Sequence, residues 1–368
     1  MDIRANLAII PDPRIERCKK HLLTDILLLC IIAMVCGVDC IEDINFFGIT
    51  HLEWLKKYLL LPNGIPSADT ILRVLGRIDH TKFEACFLNW TRGYFKERMQ
   101  PGSVIAIDGK TVKGSSTDTE RGIHLVSAWA NELGLVLGHV KTAEKSNEIT
   151  AIPELLAALD VAGCVVTIDA MGCQKQIAAD ITQGKGDYVL SLKETHPEVY
   201  AEVTAVFPEY DLGEAEYTEI TKDHGRIEKR EAWLYKDISW FSGLKDWAGL
   251  KAFGCIRSSR TIKENTTTVY RYFLTSLTDT AQFAHSVRAH WGIENKLHWT
   301  LDVAFREDYA RNRKDHSAAN LSVLRKITLN LIRLEPTEKY KKQKFSLGRK
   351  RMYASYNQDF LLKILFNL

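Results

Sequence analysis

The 368-residue sequence has no Cys-x-x-Cys pair, no apolar run long enough to cross a bilayer, and no large excess of charge of either sign. Each absence removes a class of protein. The eight cysteines (Cys18, Cys30, Cys36, Cys40, Cys86, Cys164, Cys173 and Cys255) are scattered, and the closest two, Cys36 and Cys40, lie beside an apolar run without a matching second pair. A disulfide scaffold or a zinc centre needs denser or paired spacing, so buried free thiols in a reducing compartment are expected. The most apolar stretch, residues 26–38, is too short to span a membrane and reads as a buried helix. The first ten residues carry Asp2 and Arg4 and lack the pattern of a secretory signal. A cytoplasmic location without a membrane partner is therefore expected. With a formal charge of +3, the whole-chain balance says nothing about a polyanionic partner. There is no internal repeat and no low-complexity tract.

What is present is the composition of a soluble globular protein, 46% apolar and 26% charged. Residues 1–100 place apolar side chains at helical spacing over 22–38, 46–60 and 83–95, which predicts a helical N-terminal domain. Within it, Gly64-Ile65-Pro66-Ser67-Ala68-Asp69-Thr70 predicts a turn, an N-cap at Ser67 and a helix over 68–78. Two accounts fit that helix: one that docks on DNA, and an ordinary member of a bundle.

The character changes at Ser103. Val104-Ile105-Ala106-Ile107 is a short apolar β run ending in Asp108-Gly109, and two strands, 124–130 and 135–141, flank the turn Asn131-Glu132-Leu133-Gly134. A helix over 147–159, a strand at Val165-Val166-Thr167-Ile168, a helix over 174–183 and a strand over 188–192 follow. A three-stranded meander followed by alternating α and β elements is the ribonuclease H-like arrangement, an α/β mixed sheet flanked by helices. Residues 206–280 break the rhythm with four strand-like runs and no long helix, which predicts a β-rich insertion. Helices return at 282–298 and 317–332, closing a catalytic domain over 101–333, and residues 334–368 form a basic C-terminal tail.

Asp108 and Asp169 each end an apolar strand. On adjacent parallel strands both carboxylates would emerge at the carboxyl edge of the sheet, where open α/β folds place their sites. Two carboxylates held together repel unless a cation lies between them, and Mg²⁺ or Mn²⁺ suits oxygen ligands of this kind. A third carboxylate would complete a site for two ions. Glu294 is the leading candidate, because helical spacing puts His290, Glu294 and His298 on one face. Asp302, Glu307 and Asp308 stand nearby as rivals.

Five segments together carry a family resemblance: Ile107-Asp108-Gly109-Lys110-Thr111, Lys145-Ser146-Asn147-Glu148-Ile149, Thr167-Ile168-Asp169-Ala170-Met171-Gly172-Cys173-Gln174, His290-Trp291-Gly292-Ile293-Glu294-Asn295 and Leu297-His298-Trp299. With the turn at Gly64 and the closing Asp359-Phe360-Leu361-Leu362, nearly the whole chain resembles the H-repeat-associated branch of the DDE insertion-sequence transposases. The resemblance implies a ribonuclease H-like core, a divalent metal, catalytic and metal-binding carboxylates at Asp108, Asp169 and Glu294, and a β insertion before the helix bearing the glutamate. It also implies cleavage of DNA at mobile-element ends, strand transfer into target DNA, and a homodimer or larger assembly on that DNA. Related transposases place a tyrosine and an arginine seven and four residues before the glutamate, and a lysine seven after. Here those places hold Val287, His290 and Leu301, with Arg288 and Lys296 as the neighbouring cations able to substitute.

Other residues have two readings each. Lys110 and Lys113 follow Asp108 closely enough to meet phosphates, or belong to a solvated loop. Glu148 contacts DNA or metal, or is a helix-start acid that favours the macrodipole, the simpler account. His290 and His298 hold a phosphate or assist a proton, or make structural hydrogen bonds. Trp291 and Trp299 are expected to be packed aromatics rather than stacking platforms for bases. The run from Lys339 to Arg351, with Lys341, Lys342, Lys344, Arg349 and Lys350, is expected to contact DNA backbone.

Overall fold

Val104, Ile105, Ala106 and Ile107 are all buried, and their alternate side chains serve opposite faces of one sheet. That sheet organises the chain in the computed structural model, which describes residues 3–142, 148–208, 212–223, 225–340 and 343–366.

The N-terminal region is helical, as its spacing predicts: α1 (Ile3–Leu7), α2 (Leu23–Val35), α3 (Ile41–Thr50), α4 (Leu52–Leu55), α5 (Ala68–Arg77) and α6 (His80–Phe95). The expected N-cap is present, with Ser67 accepting the Thr70 backbone N–H. The apolar run 26–38 becomes α2, buried nearly all round; no helix among the described residues is long and apolar enough to cross a membrane.

Strands β1 (Val104–Thr111), β2 (His124–Ala130) and β3 (Leu135–Lys141) make the antiparallel meander. Helix α7 (Glu148–Ala158) leads into β4 (Val165–Ile168), and α8 (Lys175–Gln183) into β5 (Asp187–Leu192). Both β4 and β5 run parallel to β1. The order β3-β2-β1-β4-β5, with a parallel crossover after an antiparallel meander, is ribonuclease H-like. Helix α9 (Pro197–Val206), absent from the sequence expectation, then precedes β6 (Tyr217–Asp223), β7 (Arg226–Tyr235), β8 (Ala252–Ile262) and β9 (Asn265–Thr275). These four strands are the β-rich insertion, and β9 pairs antiparallel with β5, so the insertion extends the central sheet to nine strands.

Helix α10 (Thr280–Gly292) runs into a π-helical turn (Ile293–His298) and then α11 (Trp299–Val303). Helix α12 (Ser317–Leu334) is buried along almost its whole length between α2, α5 and α6. The C-terminal region differs from the expected basic tail. A short hairpin, β10 (Lys339–Tyr340) with β11 (Gln343–Lys344), is followed by α13 (Leu347–Tyr356) and α14 (Gln358–Phe366). Phe360, Leu361, Ile364 and Leu365 join the core that α2 and α12 share. An apolar stripe of that size is worth several kcal/mol on burial, which outweighs the tendency of the preceding cations to stay in water.

Candidate active site

The parallel pairing of β1 with β4 ends at Ile107 opposite Ile168, so Asp108 and Asp169 are the next residues on neighbouring strands. The sequence expectation placed Asp108 after its strand. The structure places it within, because β1 continues in antiparallel pairing with β2, with Asp108 opposite Ser127. Alternation along β1 turns Asp108 to the same face as Val104, the face on which α10 packs. Asp169 leaves the sheet, and its Oδ1 accepts the backbone N–H groups of Met171 and Gly172 at 3.0 and 3.3 Å. That pair of bonds aims a carboxylate that a bare strand end would leave loose.

Asp279 caps α10 by accepting the Gln282 N–H, and the helix is tied to β4 where Thr167 Oγ1 lies 3.0 Å from His290 Nδ1. Burial pushes the His290 imidazole down to about 4, so it is neutral at pH 7. One turn on, the helix widens to π geometry over Ile293–His298. Such turns cost backbone energy and recur at functional sites. Glu294 and His298 still meet, with the His298 Nδ1–H donating to Glu294 Oε2 at 2.9 Å, and the same nitrogen lies 3.6 Å from Asp108 Oδ2. That hydrogen bond holds the Glu294 carboxyl below the usual range. His298 is buried, and its Nε2 has no hydrogen-bond partner among the described residues.

Burial, Asp169 and Glu148 together push Asp108 up to about 6, against the pull of His298. Burial, then Glu148, raises Asp169 as well. Glu148 is the residue whose place the sequence did not give. It stands in the first turn of α7, as a helix-start acid should, yet its carboxylate approaches both aspartates. Its own place in the family-like segment was the available signal, set aside for the macrodipole account; Lys145, Ser146 and Asn147 lie outside the described residues.

The rival acids separate cleanly. Lys110 Nζ sits 2.8 Å from Asp302, 3.2 Å from Glu307 and 3.0 Å from Asp308. Glu307 also faces Arg325 at 3.8 Å. All three acids are therefore matched by cations, and Glu294 remains as the acid beside Asp108. The same contacts remove Lys110 from the expected phosphate ligands, because its buried ammonium is already surrounded by carboxylates.

The other expected cations divide by surroundings. Lys113, Arg288 and Lys296 are exposed, as are Lys344 and Arg349, while Lys341 and Lys342 lie outside the described residues. Lys350 and Arg351 depart from the expectation. Lys350 is buried against Glu335 at 3.0 Å, and Arg351 pairs with Asp39 at 2.5 Å and donates to the Met34 carbonyl. Both join α13 to the body of the protein instead of facing solvent. The tryptophans depart in the opposite sense: Trp291 and Trp299 are 41% and 61% exposed, not packed away.

A cleft of about 830 Å³ opens here, lined by Asp108, Asp169, Glu294 and His290 together with Tyr270 and Trp291. Asp108 belongs to two groups of ligand atoms that lie within 4.8 Å of one another, one with Glu294 and His298 and one with Glu148 and Asp169. Asp169 and Glu294 share Asp108 but not a common group. No lysine or arginine forms an ion pair with any of these carboxylates among the described residues. Hard oxygen donors crowded without a compensating cation fit a divalent metal of the Mg²⁺ or Mn²⁺ kind.

Residues 99–331 match the model of the transposase DDE domain, and residues 4–91 match that of the segment associated with it. YncI of Escherichia coli O157:H7, provisionally named a transposase, is 41% identical over 98% of this chain and 93% of its own length. The H repeat-associated YhhI of Escherichia coli strain K12, named in the same provisional way, is 41% identical over 98% of this chain and 96% of its own. A shorter relative, YbfQ of the same strain, is named an inactive transposase and is 47% identical over 20% of this chain. A solved piggyBac transposase synaptic complex with hairpin DNA aligns with a TM-score of 0.46 at 10% identity, over 99% of this chain and 77% of that one. That likeness is too weak to carry an argument, and the fold rests on its own strand order. By its sequence over nearly its full length, this chain belongs to the DDE transposase family, in the H repeat-associated branch.

Proposed function

We propose that this chain is a DNA transposase that cuts the ends of its own mobile element and joins them to target DNA, with Asp108, Asp169 and Glu294 as the catalytic carboxylates. The observation that carries this reading is their convergence from β1, β4 and the π turn on one cleft, beside a second acidic cluster whose three acids all pair with Lys110. Charge matching is the structural use of buried acids; its absence marks the other use.

Asp108, Asp169 and Glu294 would hold the divalent ions, two by the number of ligand groups that share Asp108. Such ions supply Lewis acidity and charge neutralisation at a phosphate. The protein's own part is placement. Backbone N–H groups aim Asp169, His298 orients Glu294, and neutral His290 lines the cleft as an acceptor or donor for DNA or water. Two phosphoryl transfers would use this one site. In the first, a water oxygen bonds to phosphorus as the P–O3′ bond breaks, leaving a 3′-hydroxyl. In the second, that oxygen bonds to a phosphorus of the target while a target P–O3′ bond breaks. Joining two ends requires two sites, so a dimer or larger assembly on DNA belongs to the proposal. Exposed Lys113, Arg288, Lys296, Lys344 and Arg349 would contribute backbone contacts.

The test is purified protein with terminal-repeat DNA and Mg²⁺ or Mn²⁺, beside Asp169→Ala. Cleaved and joined products from the wild type alone are expected. Equal cleavage by both proteins overturns the assignment, and hydrolytic products without joining reduce it to a plain nuclease.

A further inference from the structure

We infer that Glu148 is a fourth carboxylate of the metal centre, ligating with Asp108 and Asp169 a cation distinct from the one Glu294 holds with Asp108. The inference rests on the metal-dependent reading above and adds a residue that the three-acid pattern does not contain.

Glu148 reaches the site from the opposite side of the sheet. Asp108 and Lys110 face α10 and the helices beyond it, so Gly109 between them faces the α7 side by alternation. A side chain at Gly109 would collide with the Glu148 carboxylate and with the His124 ring. The absence of a side chain at that one position lets an acid from α7 reach past β1 and join the two acids of β1 and the end of β4. A helix-start acid serving only the macrodipole would need no such passage.

The carboxylate is also held, not free. His124 Nε2 lies 2.8 Å from Glu148 Oε1, and the other ring nitrogen lies 2.9 Å from Thr111 Oγ1. The Thr111 hydroxyl donating to Nδ1 leaves Nε2–H to donate to Glu148. A hydroxyl–imidazole–carboxylate chain of this kind fixes the orientation of a metal ligand. It engages one of the two Glu148 oxygens. Asp108, Glu148 and Asp169 bring a formal charge of −3 to a group with ligand atoms within 4.8 Å, against −2 for Asp108, Glu294 and His298. With more charge, the group containing Glu148 is the tighter cation site.

Mn²⁺ binding to the full chain without DNA, followed by loss of the free-ion resonance signal, tests this apart from activity. The wild type is expected to bind Mn²⁺, with Glu148→Gln and Asp169→Asn each weakening the tighter site about tenfold or more. Glu294→Gln is expected to leave that tighter site near its wild-type affinity. Wild-type affinity in Glu148→Gln, with Asp169→Asn impaired, overturns the role of Glu148 and leaves the metal reading standing. Equal weakening by Glu294→Gln and Glu148→Gln overturns their division between two cations. No binding by the wild type overturns the metal reading and this inference with it. Thermal unfolding checks that each variant is folded; should Glu148→Gln not fold, Glu148→Asp keeps the charge and withdraws the carboxylate, and undiminished binding there overturns the proposal equally.

Discussion

Two residues apart on β1, Asp108 and Lys110 sit in acidic clusters of opposite design. Around Lys110, three carboxylates close on one ammonium, and Arg325 adds a second cation behind Glu307. Burial works against the Lys110 charge, yet the surrounding acids hold its pKa above the ordinary value. Burial likewise opposes ionisation of Glu307, and Arg325 with Lys110 holds its pKa below the usual range. Around Asp108 the neighbours are Asp169, Glu148 and Glu294, and burial, with Asp169 and Glu148 adding to it, raises its pKa to about 6 against the pull of His298. The two regions share a strand and similar residue types. The difference lies in whether the protein itself supplies the compensating charge, and it separates a cluster that builds the fold from the one proposed to take a metal.

Breaking each cluster should therefore give opposite results. Asp108→Asn is expected to lower DNA cleavage by about a thousandfold, the scale on which a centre of electrostatic stabilisation is lost. In chelator it should leave thermal stability unchanged or raised, since it relieves like-charge repulsion. Lys110→Met should do the reverse to stability. Three acids would lose their shared partner, and urea unfolding should show a loss of about 3 kcal/mol. A large stability loss in Asp108→Asn, with none in Lys110→Met, would erase the distinction.

Glu84 sharpens the comparison because no lysine or arginine forms an ion pair with it among the described residues, and yet it does not line the cleft beside Asp108. On α6 it lies 3.7 Å from His139 Nε2, beyond hydrogen-bond reach, with its Oε1 unpaired among the described residues. Burial raises it to about 8 despite Lys326, with Glu154 adding to the rise and Lys141 opposing it. Burial also lowers Lys326 to about 8, and holds His139 neutral. The neutral acid is the form the fold favours. Its stabilising contribution is complete below the ordinary value of 4.5 and disappears as pH rises through about 8. Wild-type stability relative to Glu84→Gln should thus fall across that window, by on the order of 1–2 kcal/mol in urea unfolding at a series of pH values. A flat difference would mean that Glu84 ionises freely in the fold. An unmatched acid is accordingly no site by itself; crowding and an open cleft complete the signature.

Much of this was legible beforehand, and the misses have physical causes. The boundaries of β2, β3 and β4 follow from alternation and turn residues, and Asp169 from its place after four apolar residues. Asp108 was found but misplaced, because local sequence marks where β4 stops supporting β1 and not where β2 continues to. Glu294 had three rivals in sequence, and the structure pairs those rivals with Lys110, a residue nearly two hundred positions earlier. No local pattern carries a contact of that range. The π turn is equally invisible, since Ile293–His298 has ordinary helical spacing. In the C-terminal region the cations drew attention from the apolar residues of α14, so Lys350 and Arg351 were expected in solvent and are found inside.

The smallest expected effect tests whether the balanced cluster serves the open one. Lys113 opens the turn after β1, where its backbone N–H donates to Asp308 Oδ1 at 3.1 Å. Its ammonium is 3.7 Å from the other Asp308 oxygen, and its side chain is 81% exposed. The matched acids thus anchor the turn that presents a lysine just beyond Asp108. A single phosphate contact changes the logarithmic salt dependence of DNA affinity by about one. Lys113→Ala should reduce that slope by about one without altering stability. Lys350→Ala removes the same formal charge from a buried pair with Glu335, and should destabilise the fold while leaving the slope unchanged. Equal slopes for Lys113→Ala and wild type would confine the Lys110 cluster to holding the turn, with no share in presenting DNA to the acids two residues away.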